Sequence, residues 1–135
     1  MKNLIFVVIF FISTFFHAQT TAMIAVVLED GKENEYLQYE KNWNKVADQM
    51  VKDNLIAQWS VWKRTPRDGD ENWAEYYVFR RTTKEQDENL DTNAWKKSTK
   101  TAFKGKSQKT IDKLLSSKGI VKENRSRTYK WVSGT

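Results

Sequence analysis

Met23-Ile24-Ala25-Val26-Val27-Leu28, followed by Glu29-Asp30-Gly31-Lys32, is the stretch on which the fold turns. A continuous apolar run of strand length predicts a strand covered on both faces. The four residues after it are turn chemistry. The spacing then changes. Tyr36, Tyr39, Trp43, Val46, Ala47, Met50 and Val51 recur at intervals of three and four, which makes one stripe of a helix over residues 32–53. Glu33 and Glu35 stand at its start, where negative charge is favoured, and Asn54 is a C-terminal stop.

Working outward, residues 55–64 and 72–82 are rich in Trp, Tyr, Val and Phe and predict two strands. The polar segment between them, with Pro66 and Gly69, makes them a hairpin. Residues 83–91 are polar and acidic and predict a loop. A short helix over 93–103 carries Trp95, Ala102 and Phe103 inward. Ser107 is an N-cap, and Ile111, Leu114 and Leu115 form the stripe of a helix ending near Gly119. Residues 125–132 alternate Arg127, Tyr129 and Trp131 against Ser126, Thr128 and Lys130, a final strand. The order is β-α-β-β-α-β. This is the ferredoxin-like pattern of the α+β class, a four-stranded antiparallel sheet with helices on one face.

The helices leave the other face of the sheet bare. The first strand is apolar on both sides, and Trp59 and Trp62 place a Trp on each side of the second. A bare aromatic face is not stable in water. The expectation is a homodimer in which two sheets cover one another.

Upstream of Met23, the chain has Lys2, then an apolar run of 13 residues from Leu4 to Phe16, then small residues around Ala18 and Ala22. This is the form of a secretory signal. A membrane span needs about 20 apolar residues, so no stable anchor is expected once the signal is removed. The expected division is a signal peptide over 1–18, with cleavage as late as 22, and a single ferredoxin-like domain over 19–135, exported to the periplasm or beyond. The only histidine, His17, leaves with the signal, and there is no cysteine. The mature domain then lacks the side chains that structural zinc, haem held through His or Cys, and the Ser-His-Asp and Cys-His nucleophile systems require. No cofactor and no metal are expected.

Net charge is +6 for the 135 residues. The excess is concentrated between Lys96 and Lys118, where eight lysines accompany the single acid Asp112. These read as a solvated helical surface. The alternative is a patch for an anionic partner, though no nucleic-acid motif accompanies it. Ser60-Val61-Trp62-Lys63 matches a Ser-x-x-Lys nucleophile pattern. That chemistry needs a helix, and on a strand residues three apart point to opposite faces. Asp68-Gly69-Asp70-Glu71-Asn72 begins like a calcium loop, but Trp73 and Phe79 stand where the loop needs Gly and Glu.

The aromatic residues carry the functional expectation. Trp43, Trp59, Trp62, Tyr77, Phe79 and Trp131 are candidates to line a cavity between helices and sheet. Tyr76, Arg80 and Arg64 are candidates to supply its polar groups. The other reading makes the rings core and dimer interface.

Several stretches together resemble a known group. They are Glu29-Asp30-Gly31-Lys32-Glu33-Asn34-Glu35-Tyr36, Glu40 to Trp43, the Trp59 hairpin with Tyr76-Tyr77-Val78, Lys106 to Leu115, Ile120-Val121-Lys122 and Tyr129-Lys130-Trp131-Val132. The group comprises exported bacterial proteins of the dimeric α/β-barrel type. The wider superfamily includes antibiotic-biosynthesis-type monooxygenases, chlorite-dismutase-like haem proteins and small stress-response dimers. The resemblance implies a ferredoxin-like dimer but brings no catalytic residues with it. The haem branch uses a proximal His that this mature chain lacks. The leading expectation is therefore a non-catalytic exported dimer that binds a small apolar or aromatic molecule, or serves a stress or envelope role. Two alternatives stand beside it: a cofactor-independent, monooxygenase-like enzyme, and an interaction protein that uses its lysine-rich surface on anionic partners.

Overall fold

A computed structural model of the chain describes residues 19–69 and 73–132. The expected signal over 1–18 lies outside the described residues, as do positions 70–72 of the calcium-like loop. The elements in chain order are β1 (Gln19–Leu28), α1 (Glu33–Lys52), β2 (Gln58–Lys63), β3 (Tyr76–Thr83), α2 (Lys84–Asn89), α3 (Thr92–Ala102), α4 (Gln108–Leu114) and β4 (Val121–Lys130). The strands form one antiparallel sheet in the order β2-β3-β1-β4.

The central position of β1 accounts for its apolar run. It pairs with β3 on one side (Ala25 opposite Tyr77) and β4 on the other (Ala25 opposite Arg125). Ala25, Val26 and Leu28 are buried. The strand begins at Gln19, earlier than the apolar run, because Thr20 and Thr21 continue the ladder opposite Thr82 and Arg81. β-Branched threonines fit a pleated surface well.

Gly31 turns the chain at φ +71° into α1. The helix ends where Asn54 takes φ 56°, a left-handed conformation that Asn tolerates better than most residues. Its inner stripe buries Tyr36, Val46, Ala47 and Met50, and also Glu40 and Asn42. Val51, expected on that stripe, is exposed.

The second crossover departs from the expectation. The segment read as a loop contains α2. Thr83 Oγ1 accepts from Gln86 N at 3.2 Å, and Gln86 Oε1 accepts from Thr83 N at 3.0 Å, a reciprocal capping box. Gln86 Nε2 then donates to Asn54 Oδ1 at 2.9 Å, tying α2 to the end of α1. Asp91 caps α3, and Ser107 caps α4 as expected, though α4 stops at Leu114, short of Gly119.

Two buried clusters result. Val26, Leu28, Tyr36, Tyr76 and Val78 pack between α1 and the sheet. Val46, Ala47, Met50, Ile56, Phe103 and Ile111 pack between α1 and the α3–α4 region. Asn42 Nδ2 donates to Leu114 O at 3.1 Å across the second. The eight lysines of the α3–α4 region are all exposed. β4 is an edge strand exposed along nearly its whole length.

Candidate functional site

The side chains that matter lie where the two clusters meet. Trp59, on β2, packs against both. Trp43, on α1, lies nearly parallel to it, with ring centroids 6.4 Å apart and 18° between planes. Trp95 of α3 meets Trp43 edge-on at 6.0 Å. Between them is a partly enclosed cavity of about 210 Å³. Tyr36, Tyr39, Glu40 and Trp43 line it from α1. Ala22, Ile24, Val26, Trp59, Val78 and Arg80 line it from the sheet, with Asn124 at the β4 side.

Periodicity places these groups together. Tyr36, Glu40 and Trp43 are four and three residues apart, so they share one helix face. Trp59 and Arg80 are directly opposite in the β2–β3 register, which brings their Cβ atoms to about 5 Å. Ala22 faces Arg80 from β1, and its small side chain leaves space.

Several polar side-chain atoms are closed off around this cavity. Among the described residues, the buried side-chain atoms without a hydrogen-bond partner are Tyr36 Oη, Glu40 Oε2, Trp43 Nε1, Trp59 Nε1, Arg80 Nε and Ser98 Oγ. All but Ser98 belong to residues that line the cavity. Glu40 is only 6% exposed and Tyr36 is fully buried. Burial pushes the Glu40 carboxyl above the usual carboxylate range, and the neighbouring Tyr36 hydroxyl draws it partly back. Their contact falls short of a well-aligned hydrogen bond, yet it is close enough to draw the carboxyl back. Burial also lowers the Arg80 guanidinium from its ordinary value, opposed by the charge of Asp87. The Arg80 guanidinium lies 5.8 Å from the Trp95 ring centre, over its face.

Of the residues expected to form such a site, Trp43, Trp59 and Arg80 come together. Tyr76 is on the same side of the sheet but donates to Glu33 Oε1, away from the cavity. Trp62, Tyr77 and Phe79 are on the opposite face, and so is Trp131, whose N–H bonds Gln19 O at the end of the β1–β4 ladder. The expectation that these four line the cavity is corrected by the alternation of side chains along a strand: Trp59 and Trp62 are three apart, and Tyr77 and Phe79 flank Val78. Ser60 and Lys63 likewise diverge. Ser60 Oγ accepts from Trp62 Nε1 at 3.0 Å, while Lys63 pairs with Glu33. Arg64 Nε donates to Ala74 O at 2.7 Å, bracing the hairpin rather than the cavity. Sequence reasoning missed Tyr36, Tyr39, Glu40 and Trp95 as site residues. A signal for Glu40 was available, since it is a carboxylate set within an apolar helical stripe, where ionisable residues are rarely buried unless paired.

The outer face carries Trp62 opposite Tyr77, Phe79 opposite Met23, and Tyr129 opposite Thr21. Tyr77 and Phe79 stack at 6.4 Å. Trp62 is 61% exposed and Trp131 45%.

This topology defines the class. The protein is an α+β domain of ferredoxin-like fold, with its second crossover divided into three helices. By sequence, it matches no family model and no curated protein. Solved structures of similar fold include a dimeric ferredoxin-like protein of unknown function from Thermobifida fusca YX, at 4% identity and a TM-score of 0.47, covering 87% of this chain and 94% of that one. Another is a protein from Arabidopsis thaliana, at 11% identity and a TM-score of 0.43, covering 87% of this chain and 98% of that one.

Proposed function

We propose that this protein is an exported binding domain that holds a small, largely aromatic molecule between α1 and the sheet, and that it works as a homodimer through the outer sheet face. The observation that carries the ligand reading is the partly enclosed cavity itself, walled by the rings of Tyr36, Tyr39, Trp43, Trp59 and Trp95. Small-molecule sites are mostly apolar and aromatic with a few polar groups, here Glu40, Arg80 and Asn124. An apolar cavity of about 150 Å³ accepts benzene, so a cavity of about 210 Å³ has room for a substituted single ring.

Support for the dimer comes from the outer face. Four strands about eight residues long present roughly 500 Å² in plan. Side-chain relief brings this towards the ~800 Å² per partner of a standard interface. Support for export comes from Lys2 and the apolar run Leu4–Phe16.

Native mass spectrometry of the protein isolated from its own host tests all three parts. The expected spectrum shows a dimer that begins at Gln19 or Met23 and carries a retained small mass. A bare chain that also gives no heat with any of a panel of single-ring aromatic compounds at millimolar concentration in calorimetry removes the ligand reading. A species that is monomeric at every concentration removes the dimer, and a chain retaining Met1 removes export. In ultracentrifugation, Trp62→Glu shifts the dimer to monomer.

A further inference from the structure

We infer that the lysine-rich surface of α3 and α4 docks the protein on an anionic phospholipid membrane, by charge and without insertion. The inference is independent of the cavity and of the dimer.

Charge is spread unevenly over this chain. Residues 96–118 carry eight Lys against one acid, a net +7, while all other positions together carry 15 Lys and Arg against 16 acids, a net −1. The whole positive excess therefore sits on one part of the fold. Lys96, Lys97 and Lys100 stand on α3, Lys104 and Lys106 between the helices, Lys109 and Lys113 on α4, and Lys118 after it. The helices turn Ser98 and Ile111 inward, and all eight lysines are exposed. Gly105, at φ +84°, makes the turn between the helices. Lys100, Lys104 and Lys106 line one open hollow there, and no acid lines it.

Folding by itself does not call for this arrangement. Lys96 and Lys100 are like charges four apart on a helix, as are Lys109 and Lys113, and such pairs destabilise it. Elsewhere cations have acidic neighbours: Lys32 with Glu35, Lys63 with Glu33, Lys84 with Glu88 and Arg125 with Glu123. Among the described residues, none of the eight lysines forms an ion pair. The single acid, Asp112, already accepts from Gln108 Nε2 at 2.7 Å. An anionic partner offsets the self-repulsion of such a patch.

The kind of anion follows from what the patch lacks. It has no Arg, the side chain that grips phosphate bidentately and reads base edges. It has no exposed aromatic ring on which a base could stack. Among the described residues, the exposed large apolar side chains all lie outside 96–118, so nothing here enters the acyl layer. Lysines are point charges on flexible stems, and a cluster of this size is what an anionic lipid surface attracts. The helices are on the far side of the sheet from Trp62, so the proposed dimer leaves the patch uncovered.

The test is cosedimentation of the protein with vesicles of phosphatidylcholine, alone or with one part in three of phosphatidylglycerol. Binding is expected to the anionic vesicles only, and to vanish in about 0.5 M salt, where screening acts within a few ångströms. Each lysine near an anionic surface is worth about fivefold in affinity, so the triple variant Lys100→Gln, Lys104→Gln, Lys106→Gln should bind roughly 10- to 100-fold more weakly. The triple variant Lys41→Gln, Lys52→Gln, Lys122→Gln loses the same charge elsewhere and should stay within about threefold of wild type. Replacing Lys100, Lys104 and Lys106 with Arg should preserve binding. Absence of vesicle binding at low salt would overturn the inference. Equal weakening by both Gln triples would assign the effect to net charge and overturn the patch. Binding that survives high salt would overturn attachment by charge. If duplex DNA displaces the protein from the vesicles at equal phosphate concentration, the partner is a nucleic acid and the membrane reading is wrong.

Discussion

Replacing Glu40 with methionine should make the ligand-free protein more stable. Glu40 is 6% exposed, one of its carboxylate oxygens has no partner, and its neighbours are aromatic. Methionine has a similar length and no polar atom to leave unsatisfied, so it fills the same space. An unsatisfied buried polar group costs about 1–3 kcal/mol, more when charged. For a domain of this size, that corresponds to a rise in Tm of roughly 4–12 °C. The effect has a pH signature. The Glu40 carboxyl is raised in the folded state by desolvation, so across the window from the ordinary carboxylate value up to the folded one the native state binds more protons than the unfolded state. Wild-type stability therefore falls as pH rises through that window. Glu40→Met lacks this component. Its advantage should be largest above the folded titration of Glu40 and shrink as pH drops towards the ordinary carboxylate range. Urea denaturation followed by tryptophan fluorescence at several pH values measures the difference directly. A Glu40→Met protein less stable than wild type at every pH would falsify the reasoning, because it would mean that the carboxylate is satisfied and holds the fold together.

Other perturbations probe the frame around the site. Met50 is fully buried in the cluster shared by α1, Ile56, Phe103 and Ile111, so Met50→Ala should cost about 2–5 kcal/mol in chemical denaturation; a loss under 1 kcal/mol would show that the cluster is loosely packed. Asn54 holds a positive φ and accepts from Gln86, so Asn54→Ala should cost about 2 kcal/mol and Asn54→Gly about 1 kcal/mol less than that. Equal losses would assign the whole effect to the hydrogen bond. The Tyr76 phenol is pushed up to about 12, first by burial and then by the hydrogen bond to Glu33. Folded Tyr76 therefore keeps its proton where unfolded tyrosine loses it, and this contribution to stability is lost as pH rises from about 10 through 12. Tyr76→Phe should flatten that fall, and an unchanged pH profile would count against the perturbed phenol.

Much of this architecture was legible in the chain. The change of period from the run at Met23–Leu28 to the stripe Tyr36–Tyr39–Trp43–Val46–Met50 marks a central strand followed by a long helix. The turn residues and the β2–β3 hairpin supply the rest of the order. What escaped was local or long-range. α2 was missed because a polar, acidic segment carries no hydrophobic period, although Thr83 and Gln86 stand at capping-box spacing. Val51 was placed inward because helical spacing shows which residues share a face but not how far a neighbouring layer extends.

The sequence by itself determined the ferredoxin-like order and the absence of thiol and imidazole chemistry from residues 19–135. Those depend on local periodicity and on composition, both properties of the chain alone. Only the tertiary structure decided the site. Strand alternation says that Trp59 and Trp62 part company, but not which of them meets a helix; the packing of α1 chose Trp59. Nor does any local rule bring Arg80 of β3, Trp59 of β2 and Glu40 of α1 around one cavity. That juxtaposition comes from register and helix packing, which are settled by contacts between residues far apart in the chain.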